Sequence, residues 1–169
     1  MTGEDLTRWT IWLATLAYFG RWICELWPDG LPSAIRSRRA RACWTAAFML
    51  LLIHVACAFQ FHHHWSHHAA VEHALRQTES IVGIRFSGGP WVNYVIMTLW
   101  LGDLLWWWLS PNSFLMRPRW ISISWNLVLA FIAFNGTVVF ANGFIRWLTV
   151  AGVILLGLLV LKRSSRPKS

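Results

Sequence analysis

All seven histidines of the chain fall between residues 54 and 73, six of them in the run FHHHWSHHAAVEH that begins at Phe61. An imidazole is neutral at pH 7 and is a good ligand for Zn, Cu, Fe or Ni, so so dense a cluster points to transition-metal chemistry. Residues 61–78 contain neither Gly nor Pro and are rich in helix formers, which predicts one continuous helix through the run. On such a helix residues four apart share a face. His64, His68 and Glu72 then form one ladder, and His63 and His67 form a second pair on the opposite side. Two imidazoles at that spacing make a bidentate site, with Glu72 as a third ligand or as the group that orients an imidazole. The competing reading is a polar cap where a membrane span meets water. His54, two turns earlier, is a candidate pocket residue or haem ligand, either opposite Met97 or paired with His54 of a second copy.

His64-x-x-His67-His68 resembles the HxxHH box of the membrane di-iron hydroxylases and desaturases. In that family several such boxes on separate segments assemble the metal centre, whereas this chain carries one. A zincin HExxH is absent, because no histidine follows Glu72-His73 at the required spacing. Over His62 to Trp108, including GGPWVNY and WLGDLLWWW, the chain also resembles small multi-pass bacterial membrane proteins of unassigned function, a resemblance that brings no activity and no site residues with it.

The remaining polar residues of interest lie inside apolar stretches, where a charge is costly and needs a partner. Arg21, Asp103 and Asn126 each sit about six residues from the inner end of their span, by the span lengths below. They are expected to share one layer, with Arg21 and Asp103 as an ion pair and Asn126 hydrogen-bonding alongside. Helix-to-helix glue is the favoured role, and a proton or ion relay with Glu25 at its inner mouth is the alternative. A second, outer layer would hold His54, Cys57 and Asn135, with Asn93 and Tyr94 nearby. Gly88-Gly89-Pro90 supplies the turn that returns the chain to the third span. Arg146 can reach Glu72 or Glu79, or snorkel to headgroups, which is the favoured reading.

The elements that must carry these residues are legible from composition. Of 169 residues, 56% are hydrophobic and only 13% charged, about half the charged fraction of a soluble domain, and 14 are tryptophan. A helix needs about 20 apolar residues to cross the hydrocarbon. Five stretches approach that length: 6–27, 42–61, 91–109, 120–140 and 144–161, the last two split by the turn Ala141-Asn142-Gly143. The expected architecture is therefore all-α, one integral membrane bundle of about five transmembrane helices. The second helix extends past the outer face into a His-rich segment (62–90), and a basic tail (162–169) follows the fifth. Arginines 36, 38, 39 and 41, then 117 and 119, then the tail with Lys162, Arg163, Arg166 and Lys168 all fall on one side. The positive-inside rule makes that side cytoplasmic, with the N-terminus and the His-rich loop outside a bacterial inner membrane.

A formal charge of +8 reflects these loop residues, which set topology, so no nucleic-acid partner is expected. The first apolar stretch lacks a basic leader and is interrupted by Arg21, so it reads as an uncleaved span. Three cysteines suit no disulfide framework, and Cys24 and Cys43 should lie near the reducing cytoplasmic face. Asn135-Gly-Thr137 matches a glycosylation sequon but falls within a span. The function these features favour is a membrane accessory or binding protein with a His/Glu metal site on its outer face. A metal-dependent membrane enzyme and a structural subunit without a site are the alternatives. The expected partners are the lipid bilayer, a second copy of the chain, or a larger membrane complex.

Overall fold

The computed structural model describes residues 2–26, 32–135 and 143–164. Every regular element among them is helical: α1 (Gly3–Leu26), α2 (Ser33–Ala58), a π-helical turn (Phe59–His63), α3 (His67–Val82), α4 (Gly89–Leu109), α5 (Pro111–Leu115), α6 (Arg119–Phe134) and α7 (Phe144–Ser164). The helix from Ser33 through the π turn to His63 is long and apolar enough to cross a membrane, and residues Arg119–Phe134 and Arg146–Leu159 form shorter apolar helices. The expected Ala141-Asn142-Gly143 turn, the Gly-Thr part of the sequon and the end of the basic tail lie outside the described residues, apart from Gly143 itself, whose φ is +78°.

Two differences from the expected elements bear on the site. First, α2 begins well before the apolar stretch, so Arg36, Arg38, Arg39 and Arg41 ride on its first turns instead of forming a loop. Ser33 follows Pro32, and the segment after it has good helix propensity, so nothing stops the helix from starting there. Second, the helix expected to run unbroken through the histidines breaks. The His64 N–H closes the π turn onto the Phe59 carbonyl, and the Trp65 N–H reaches the same oxygen at 3.0 Å. His64 and Trp65 take left-handed backbone conformations, with φ of +47° and +59°. Ser66 then caps a new helix, its hydroxyl accepting from the Ala69 N–H at 3.2 Å. The chain thus turns a corner at His64–Ser66.

The molecule divides into two compact units, one of Met1–Ile11 with Phe48–Arg117 and one of Trp12–Ala47 with Pro118–Ser169. In the first, the end of α2 meets α4 through Phe48 and Trp100, whose ring centroids are 5.9 Å apart. Helix α3 meets the start of α4, where the Gly89 backbone faces the Ala74 methyl. Phe48, Ile96, Trp100, Leu104, Trp107 and Phe114 are buried there. In the second unit, α1 lies antiparallel to α2, with Tyr18 against Trp44 and Gly20 under Cys43. Helix α7 meets α1 where Gly152 faces Phe19 so closely that an added Cβ would stand 2.7 Å from the ring.

Candidate functional site

The corner at His64–Ser66 rearranges the histidines. His64 now stands in the turn, exposed, so the ladder His64–His68–Glu72 is broken at its first rung. His68 and Glu72 remain one turn apart on α3, and Glu72 is paired with Arg76 at 3.3 Å, both side chains being exposed. The pair His63 and His67 is separated by the same corner. The physical reason is local: Ser66 offers a side-chain cap that competes with the helix, and the left-handed residues before it reverse the chain.

What the corner brings together is His63 and His73. Their rings lie 5.4 Å apart between centroids, inclined at 63°. His62 follows at 6.4 Å from His63. An imidazole nitrogen about 2.0 Å from a metal sets its ring centre about 3.2 Å away, so two imidazoles on one tetrahedral ion have centres about 5.2 Å apart. His63 and His73 are spaced accordingly. His63 lies beyond the last apolar residue, Phe61. Among the described residues no group of three or more His, Cys, Asp or Glu side chains is arranged to hold a metal ion.

His67 and His54 have gone to other work. His67 Nδ1 is 3.1 Å from the Tyr94 hydroxyl, its ring stands edge-on to Trp91 at 5.0 Å, and its Nε2 is buried without a hydrogen-bond partner. It ties α3 to α4. His54 Nδ1 is 2.9 Å from the Thr7 carbonyl. A carbonyl only accepts, so Nδ1 carries the proton and the ring ties α2 to α1.

The polar residues expected to share one layer lie in two arginine clusters, one in each unit. Arg21, 2% exposed, donates to Glu25 Oε1 at 3.1 Å and to Asn126 Oδ1 at 3.2 Å. Its guanidinium lies 4.0 Å over the Trp44 ring and 5.1 Å from Trp22. Asn126 stands alongside Arg21, and Glu25, one turn on, bonds Arg21 as well. Within its own unit Asp103 is bonded to Arg117, and both side chains are almost fully buried. Arg117 also stacks 4.0 Å over Phe114, which lies flat on Trp107 at 4.5 Å. Asp103 and Trp107 are one turn apart on α4, so the pair and the ring stack together clamp the α4–α5 corner.

Sequence reasoning missed His73, Arg117 and Trp44 as partners. For His73 a signal was present: Ser66 before a helix-forming run is an N-cap, and honouring it breaks the helix and moves His73 to His63. For Arg117 the signal is weaker, a proline-led turn between Asp103 and a basic residue. No known protein family, characterised protein or solved structure matches this chain.

Proposed function

We propose that this protein is a multi-pass helical membrane protein that captures a transition-metal ion at its outer face and holds it with incomplete ligation, ready to be passed on. The observation that carries the metal reading is the His63–His73 pair at the corner between the π turn and α3. Two ligands leave positions open on the ion, which suits capture and release better than a closed structural site. Zn, Cu and Fe all accept imidazole, so the donor set defines the class of ion and not its identity.

The membrane reading rests on how polarity is distributed. Helix α4 exposes Trp91, Val95, Leu99 and Leu105 along one side, and α6 exposes Ile123, Leu127 and Phe131 in the same way. The buried positions meanwhile include Thr10, Thr15, Arg21 and Thr149. Apolar stripes facing out and charges held inside suit a lipid solvent. With five spans, the basic clusters put the C-terminus inside and the His-rich corner outside.

The test is the metal content of the untagged chain purified in detergent and exposed in turn to Zn, Cu and Fe. One ion per chain is expected, lost in His63→Ala and in His73→Ala and retained in His62→Ala and His68→Ala. Equal loss in all four variants would sink the assignment of the pair. No retained metal in the wild type would leave a structural membrane subunit.

A further inference from the structure

The contact of His63 with His73 brings two imidazoles together, whereas a tetrahedral ion takes four ligands. Among the described residues no third His, Cys, Asp or Glu side chain is arranged with the pair to hold an ion. The pair is open to an outside ligand, because His73 is exposed and His63 partly so. The same corner turns aromatic surface outward: Trp65 is 65% exposed and Phe61, in the π turn, 44% exposed. No Asp, Glu, Lys or Arg occurs between Arg41 and Glu72, and Glu72 is paired with Arg76. A surface that meets its own copy sets like against like, so a net charge here would repel, and the corner carries none from those residue types.

We propose that the missing ligands come from a second copy of this chain, so that one ion is held by His63 and His73 of each of two copies. The proposal rests on the metal capture assigned to this pair and names its partner. Half of a tetrahedral set on one chain becomes a whole set when a two-fold axis passes through the ion, because an isologous contact presents the same residues twice. Copies inserted in one bilayer with one orientation meet side by side about an axis along the membrane normal. Their corners then stand at equal depth, where the axis needs them. The same contact gives a route for release. The partner's imidazoles occupy the open positions before the first pair lets go, so the ion passes from copy to copy without leaving the protein.

The experiment titrates Zn²⁺ into the full-length, metal-free chain in detergent, with micelles in excess of chains. Sedimentation with the detergent density-matched reads the mass, and X-ray absorption at the zinc edge counts the imidazoles. With one ion for every two chains, the protein mass should double and each ion should see about four imidazoles. With zinc in excess, each chain should hold its own ion through about two imidazoles, and the mass should return to that of one chain. EDTA should separate the pairs. His63→Ala and His73→Ala should each abolish the doubling, and His62→Ala should keep it. Wild type mixed with a fluorescently labelled His63→Ala/His73→Ala chain should form no mixed pairs, since that chain brings no ligand. Zinc bound one to one by single chains at every ratio would overturn the shared site and leave capture standing. No bound zinc at any ratio would overturn it together with zinc capture. Doubling that persists in EDTA or in the double variant would mean that another surface joins the copies, and would also overturn it.

Discussion

At the scale of single residues, the chain handles buried charge in one way twice. Each buried arginine is given a carboxylate within hydrogen-bonding distance and an aromatic ring under its plane: Glu25 and Trp44 for Arg21, Asp103 and Phe114 for Arg117. The guanidinium is suited to this, because its edge donates to oxygen while its weakly hydrated face stacks on carbon. A lysine at either position would keep the charge and lose the stacking. The Asp103–Arg117 pair carries a definite prediction. Removing one partner strands a charge where water does not reach, so Asp103→Asn should cost about 3 kcal/mol of stability. Arg117→Met should cost a similar amount, and the double variant less than the two together, measured by unfolding in mixed micelles. Simple additivity would mean that the two side chains do not interact.

At the scale of elements, the decisive feature is the corner between α2 and α3. A straight helix would have put His64, His68 and Glu72 on one face. The corner exchanges that ladder for the contact of His63 with His73. Substitutions there have opposite signs under the two geometries. With His64 left-handed, His64→Gly should relieve about 1 kcal/mol of backbone strain. Ser66→Ala should remove a cap and cost about 1 kcal/mol. In a continuous helix His64→Gly would instead destabilise and Ser66→Ala would help. Hydrogen exchange of the first-turn amides of α3 reads the difference, and protection that falls in the glycine variant would restore the continuous helix.

At the scale of the molecule, the proposed multi-pass orientation has consequences that reporter fusions can check. A reporter fused after Val82 should be active only outside the cytoplasm, and reporters fused after Arg119 or Ser169 only within it. The four arginines early in α2 should dominate this orientation, since they form the densest positive cluster flanking an apolar stretch. Replacing Arg36, Arg38, Arg39 and Arg41 by alanine should therefore give a mixed orientation. A uniform, unchanged topology would show that later clusters suffice to set it.

The helical class followed from composition and hydropathy alone, because apolar runs of this length have few other ways to satisfy their backbone. The positions of α1, α4 and α7 agree with the expected stretches to within a few residues, since Pro90 and the apolar boundaries mark them in the sequence. The Arg21–Asn126 contact was also legible, from the positions of the two residues within their apolar stretches. Pairings that depend on a change of direction were not. That Asp103 meets Arg117, and that His63 meets His73 and not His67, turns on corners a few residues long. A cap or a left-handed residue changes the local energy by only about 1 kcal/mol, too little to read against helix propensity. Yet such a corner redirects every side chain beyond it. Periodicity set which residues could share a face, and tertiary structure decided which faces met.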